Sequence, residues 1–260
     1  MLKFSKYHGA GNDFILIDNR KGEINLSCNE IAFLCNRHLG IGADGLMFLN
    51  FNSLHDFEMQ YFNSDGNEST MCGNGGRCIT AFASALGIIE KTTIFNAIDG
   101  LHTAEIVEDK AKMRKTIRLQ MSDVMLIQQS ENYFLLNTGS PHYVQLVDNV
   151  DDIDIVSEGR KIRYDKRFAP SGLNVNFMQV KESHLYVRTY ERGVEDETLS
   201  CGTGVTASAL AYASDKNITE VSVLTKGGNL KVLFEKHGDS FKNIFLEGET
   251  CFVFEGELEF

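Results

Sequence analysis

Apolar positions along the chain alternate with polar ones or gather in short blocks bounded by Gly, Asn, Asp and Ser. The runs 13–18, 57–62, 132–136, 173–180 and 185–190 read as strands, and 221–225, 230–234 and 251–254 read the same way. Their Phe, Ile, Val and Tyr content suits half-buried pleated surfaces. Three segments carry a helical period instead. Ser27-Cys28-Asn29-Glu30 has capping-box spacing; Ile31, Leu34, Cys35 and His38 then fall on one helical face, with Gly40 as the stop. A second helix is predicted from Gly73 to about Leu86, with Ile79, Phe82, Ala83 and Leu86 on one face, and a third, rich in alanine, from Gly202 to about Ser214. Many short strands with few helices predict an α+β or barrel-like architecture and not a doubly wound parallel sheet.

The pattern also repeats. Cys72-Gly73-Asn74-Gly75 returns 129 positions later as Cys201-Gly202-Thr203-Gly204, and each copy opens a helix of small residues. Tyr61 and Tyr190 each precede their cysteine by 11 positions, and Gly9 and Asp18 are matched by Gly139 and Asp148 at an offset of 130. Matched landmarks in one order predict a duplicated chain of two halves, 1–117 and 118–249.

Charge narrows the function. With 25 Lys and Arg against 36 Asp and Glu, the net charge is −11. Nucleic-acid binders and polybasic membrane-surface proteins need the opposite balance. No stretch approaches the roughly 20 apolar residues of a membrane span, and the first residues turn polar too early for a secretory signal. These features predict a soluble, cytoplasmic protein with no nucleic-acid partner and no membrane partner. The 6 cysteines are too dilute for a disulfide scaffold in a chain of 260 residues. Cys28, Cys35, Cys78 and Cys251 read as structural.

Cys72 and Cys201 read differently. A cysteine at a helix N-cap sits at the positive end of the dipole, which favours its thiolate. The glycines beside it let an anion approach the helix amides. One Cys-Gly-x-Gly is weak evidence, but two in a duplicated chain suit racemisation. One sulfur removes the proton from a carbon next to a carboxylate while the other protonates the opposite face. Two helix N-termini would stabilise the charge that develops, with no metal and no cofactor called for.

The chain resembles the diaminopimelate epimerase family over nearly its full length. The segments that carry the resemblance are 8–14 (His-Gly-Ala-Gly-Asn-Asp-Phe), 40–45, 63–66, 71–78, 140–142, 174–176, 191–193 and 201–204. It implies a pyridoxal-independent, two-base epimerase that interconverts LL- and meso-diaminopimelate for lysine and peptidoglycan synthesis. It also implies two pseudo-symmetric barrel-like α/β domains, each with strands around a central helix, an active site in the cleft between them, and a homodimer. The last strand, about 250–260, is expected to return to the first half.

Carried onto this sequence, the resemblance makes Cys72 and Cys201 the acid/base pair. Gly73, Asn74, Gly202 and Thr203 become the donors to the reacting carboxylate. Asn12, Asn63, Asn174, Glu191 and Arg192 become the group that holds the distal amino acid, with Arg192 on its carboxylate and Glu191 on its ammonium. Gly45, Ser140 and the acidic run Glu195-Asp196-Glu197 depart from common family forms. His8 and His142 fit a hydrogen-bonding wall as well as a chemical role. The alternatives are a two-cysteine proline racemase or hydroxyproline epimerase, against which Asn74 speaks, and a thiol redox or metal-binding module, whose metal form lacks closely spaced ligands.

Overall fold

The computed structural model of the chain describes residues 1–110 and 113–259. Contacts divide it into one unit of Met1–Leu119 with Gly248–Phe260 and a second of Gln120–Glu247.

The first unit runs β1 (Leu2–Gly9), β2 (Asn12–Asp18), α1 (Cys28–Cys35), β3 (Gly45–Asn50), β4 (Phe57–Asn63), β5 (Glu68–Ser69), α2 (Gly73–Ala85), β6 (Thr92–Ala97), β7 (Gly100–Asp109) and β8 (Arg114–Gln120). β1 and β2 form a hairpin whose two turn residues, Ala10 and Gly11, have φ of 51° and 81°. Such a turn matches strand twist and holds Asn12 at the mouth of β2. β2–β3 and β4–β6 pair parallel; β3–β4, β6–β7 and β7–β8 pair antiparallel.

The second unit runs β9 (Gln128–Gln129), β10 (Phe134–Asn137), β11 (Pro141–Leu146), α3 (Ile155–Arg163), β12 (Asn174–Val180), β13 (Leu185–Glu191), β14 (Asp196–Thr198), α4 (Gly202–Ala213), β15 (Glu220–Thr225) and β16 (Gly228–His237). Its pairings repeat the plan: β11–β12 and β13–β15 are parallel, β12–β13 and β15–β16 antiparallel. A long last strand, β17 (Ser240–Leu258), begins in this unit and ends in the first. There it pairs with β8 from Glu249↔Thr116 to Cys251↔Arg114 and with β1 from Gly9↔Thr250 to Leu2↔Leu258. The strands of the first unit thus close into a ring.

Period-2 alternation assigns the two faces of the wall. Ile15, Ile17, Leu46 and Phe48 form one cluster with Ile31, Leu34 and Cys35 of α1. The alternate residues Phe14, Leu16, Met47 and Leu49, equally buried, face α2. Coverage on both sides is why 13–18 reads as a near-continuous apolar run. In the second unit Val175 and Phe177 pack with Ile155 of α3, while Asn174, Asn176 and Met178 face α4.

α2 and α4 are enclosed helices. Every residue from Gly73 to Ala83 is buried, so the single apolar face expected for this helix is replaced by burial all round. Small residues make the room. A Cβ on Gly75 would lie 2.8 Å from Met47 Cε, and one on Gly76 2.9 Å from Leu119 Cδ2.

Some expectations are corrected. α1 stops at Cys35, because Asn36 turns extended and its Oδ1 accepts from the amides of His38 and Leu39. His38 therefore lies outside the helix and is exposed. Gly40 is not a cap: it lies against the Phe33 carbonyl, where a Cβ would be 2.1 Å away. α3 is a further helix, capped by Asp154 on the Ser157 amide at 3.1 Å. Among the described residues no helix is long and apolar enough to cross a membrane.

Candidate active site

Both small-residue helices begin at a cysteine. Cys72 is the N-cap of α2 and Cys201 the N-cap of α4, each in extended backbone. The first helical hydrogen bonds run from the Gly76 amide to the Cys72 carbonyl at 2.7 Å and from Val205 to Cys201 at 2.8 Å. The earlier amides point out of each N-terminus, where the dipole favours negative charge.

Around Cys72, donors and acceptors fix one another. The Asp44 carboxylate can only accept, so it takes the Asn12 Nδ2–H at 2.7 Å and turns Asn12 Oδ1 toward the helix. That oxygen accepts from Asn74 Nδ2 at 3.2 Å and lies 3.6 Å from Cys72 Sγ. Asn74 is set from its other side, because Arg77 can only donate and holds Asn74 Oδ1 at 2.8 Å. Arg77 is fully buried; it also donates to the Gly73 carbonyl at 3.1 Å. Burial pulls its guanidinium toward neutrality, and charge on Cys78 and Cys72 acts the other way. Asp44 and Asp13 share Arg37, and Asp13 also pairs with Lys6 at 2.7 Å. Burial raises the Asp13 carboxyl, but hydrogen bonds from Arg37 and Lys6 outweigh it and hold Asp13 down to about 2. Asn63 ends β4 and is exposed, its backbone closing a turn with Gly66 and Asn67.

The Cys201 start is built from different residues. Cys201 Sγ lies 3.4 Å from Thr203 Oγ1, and the Thr203 carbonyl accepts from Thr138 Oγ1 at 2.9 Å. Beneath the helix start, Asn176 is fully buried. It donates to the Tyr143 carbonyl at 2.9 Å and to His142 Nδ1 at 3.1 Å, and accepts from Thr189 Oγ1 at 2.9 Å. A Cβ on Gly204 would lie 2.3 Å from Asn176 Oδ1. His142 accepts at Nδ1, so its proton sits on Nε2, which is buried with no partner among the described residues. Burial first, and the Arg192 charge second, push His142 down to about 3, so it is neutral.

Asn174 Oδ1 accepts from the Arg192 amide at 2.9 Å. The Arg192 guanidinium donates to the carbonyls of Ser171 and Gly172, and no carboxylate pairs with it among the described residues. Glu191 accepts from Thr198 Oγ1 at 2.9 Å.

The residues that depart from the family pattern have local roles. Gly45 has no room for a side chain: a Cβ would lie 2.5 Å from the Phe62 carbonyl. Glu195 takes hydrogen bonds from Tyr190 and Arg163, and Glu197 pairs with Arg188 at 2.6 Å and Lys226 at 2.8 Å. Arg77, Asp44 and Asn176 escaped the pattern reading. All three lie in segments that carry the family resemblance, 40–45, 71–78 and 174–176, without being given a role there.

The diaminopimelate epimerase family model matches residues 4–127 and 134–253. Diaminopimelate epimerase of Flavobacterium psychrophilum is 51% identical over 98% of this chain and 99% of its own, and that of Chlorobaculum tepidum 41% over 96% and 98%. Among solved structures, a Bacillus anthracis phenazine biosynthesis protein of the PhzF family superposes with TM-score 0.78 at 15% identity, covering 100% of this chain and 99% of its own. A hydroxyproline epimerase from Agrobacterium vitis gives 0.67 at 15%, covering 98% and 91%. These two share the fold, two barrel-like units of mixed sheet with few helices. With the family model spanning nearly all of the chain and half its residues shared with a full-length relative, the chain belongs to the diaminopimelate epimerase family.

Proposed function

We propose that the protein interconverts LL- and meso-diaminopimelate by pyridoxal-independent, two-cysteine proton transfer, feeding lysine and peptidoglycan synthesis. The observation that carries this reading is the pair of enclosed helices that each start at a cysteine and a glycine, in a chain of this family.

An α-hydrogen beside an ammonium is a very weak acid, so the carbanion needs stabilisation as it forms. The amides at Gly73-Asn74 and Gly202-Thr203 are suited to the reacting carboxylate, where charge builds. One cysteine, as thiolate, takes the α-proton into a new S–H bond, and the C–H pair stays on carbon. The other, as thiol, gives its proton to the opposite face of that carbon and is left as thiolate. The substrate is inverted and the two sulfurs have exchanged protonation states.

The distal half of the substrate is a second zwitterion. Arg192, held by neutral carbonyls, suits its carboxylate, Glu191 its ammonium, and Asn12, Asn63 and Asn174 the remaining polar contacts. A monoamino acid would leave these groups unpaired, which predicts strong rejection of L-proline.

Turnover of LL-diaminopimelate in D2O by the reduced protein should place solvent deuterium at the inverted α-carbon. Cys72→Ala and Cys201→Ala should each abolish steady-state epimerisation. Near-normal epimerisation by either variant would remove the two-base mechanism.

A further inference from the structure

The two cysteine helices share one contact made by unlike residues. Arg77 NH1 donates to the Gly73 carbonyl at 3.1 Å; 129 positions later, Thr206 Oγ1 donates to the Gly202 carbonyl at 2.9 Å. Both residues are fully buried. The same place under the first turn thus holds a cation in one unit and a neutral hydroxyl in the other. Arginine stays protonated even when buried, so the asymmetry is one full charge.

That charge has no ion-pair partner among the described residues, and the Arg77 Nε is buried without a partner. Its NH2 group reaches Asn74 Oδ1, and through Asn74 and Asn12 the polarised amides lead to the Asp44 carboxylate. Of the other ionisable groups around this helix start, Cys251 of β17 lies within electrostatic reach of Cys78 with its Sγ donating to the Phe252 carbonyl, and three carboxylates are ion-paired. Asp44 is paired with Arg37, Asp13 with Lys6 and Arg37, and Asp99 with His102. Cys78, on the next turn, and Tyr7 of β1 are kept protonated by burial. Asn12 Oδ1 at 3.6 Å favours a protonated Cys72, but S–H is a weak donor, and a desolvated cation acts more strongly than one such contact.

We propose that Arg77 is a positioning residue that breaks the symmetry of the two halves: its buried charge makes Cys72, and not Cys201, the sulfur that carries the thiolate in the resting protein. The inference rests on the reading of these two cysteines as the proton carriers. It implies that the resting protein is loaded to deprotonate the stereoisomer that offers its α-hydrogen to Cys72, and favours the other only after a turnover or a proton exchange has moved the thiolate to Cys201.

The test follows alkylation of the full chain by iodoacetamide between pH 5 and 10, with Cys72 and Cys201 quantified separately by peptide mass mapping. In the unaltered protein the Cys72 profile should develop at least about one pH unit below that of Cys201. Arg77→Gln keeps a donor for Asn74 but removes the charge; it should move the Cys72 profile up by about one unit, a tenfold loss of thiolate at a given pH, and leave Cys201 where it was. Arg77→Lys should restore most of the shift, which a purely structural role would not do. Coincident or reversed profiles in the unaltered protein overturn the proposal without any variant, and so does a Gln variant that folds with its Cys72 profile unmoved. The readout uses no substrate. Separated profiles with no turnover of diaminopimelate would fault the substrate reading, whereas turnover with coincident profiles would fault the role of Arg77.

Discussion

Replacing Gly75 or Gly204 by Ala is one change made at the third helical position of two related helices, and the structure sets unequal costs for it. At Gly75 the new methyl would lie 2.8 Å from Met47 Cε, with Met47 Sδ and Met59 Cε both at 3.5 Å. Met47 is unbranched and its end can rotate away, so relief costs about 1 kcal/mol or less. At Gly204 the methyl would lie 2.3 Å from Asn176 Oδ1. That oxygen accepts from Thr189, while the amide nitrogen of the same side chain donates to Tyr143 and His142 at 2.9 and 3.1 Å, so Asn176 has nowhere to turn. Overpacking costs about 1–3 kcal/mol. Breaking a hydrogen bond to a fully buried group adds roughly 1–3 kcal/mol. Gly→Ala also favours the helix by about 1 kcal/mol, but equally at both sites, so it cancels in the comparison. Gly204→Ala should therefore be less stable than Gly75→Ala by about 1–6 kcal/mol in equilibrium urea unfolding. Equal stability, or a greater loss at Gly75, would refute the claim that a locked polar group sits under the second helix and a pliable apolar one under the first.

Two other outcomes follow from the second unit. Arg192→Lys keeps the charge but loses the planar fork, so kcat/KM for diaminopimelate should fall by on the order of tenfold, about 1.4 kcal/mol; unchanged kinetics would remove Arg192 as the clamp on the distal carboxylate. His142 is held at about 3 against an ordinary 6.5, so between those values the unfolded chain binds the proton that the folded chain refuses. Its contribution to stability is therefore complete above about pH 6.5 and declines as the pH falls, by up to about 1.4 kcal/mol per pH unit. His142→Gln should flatten the pH dependence of the urea midpoint between pH 6 and 4, and parallel curves for the two proteins would show that the proton goes elsewhere.

What could be read from the chain without coordinates was set by local chemistry. The strand runs and the capping box at Ser27 are short-range signals, and the duplicated Cys-Gly-x-Gly is one as well, its second glycine standing where a Cβ would meet Met47 in one helix and Asn176 in the other. The barrel-like class followed from the same pattern. The end of α1 did not, since Asn36 terminates the helix through an Asx turn that outcompetes the apolar period leading to His38. α3 escaped because 4 of its 9 residues are charged and it buries only Ile155 and Gly159.

The polar layer beneath the helix starts was the least legible part, and for one physical reason. Asn176, His142 and Thr189 stand on three strands, while Asn12 opens β2, Asp44 directly precedes β3 and Arg77 lies on α2. Each residue alone looks like a turn former, a surface charge or an ordinary strand position. Only the fold brings them within hydrogen-bond distance, and most of their polar atoms pair there, His142 Nε2 and Arg77 Nε excepted, because a buried polar group without a partner costs about 1–3 kcal/mol. Repetition concealed this layer as well. The repeat advertises what the two helices have in common, cysteine followed by glycine, while their difference lies in what packs against them: Met47 under Gly75 but Asn176 under Gly204, Arg77 under Gly73 but Thr206 under Gly202. On the two-cysteine reading proposed above, the reaction uses two similar proton carriers, of which at any moment one holds a proton and the other does not. A duplicated fold supplies the likeness, and on that reading the unlike residues buried beneath it can supply the difference.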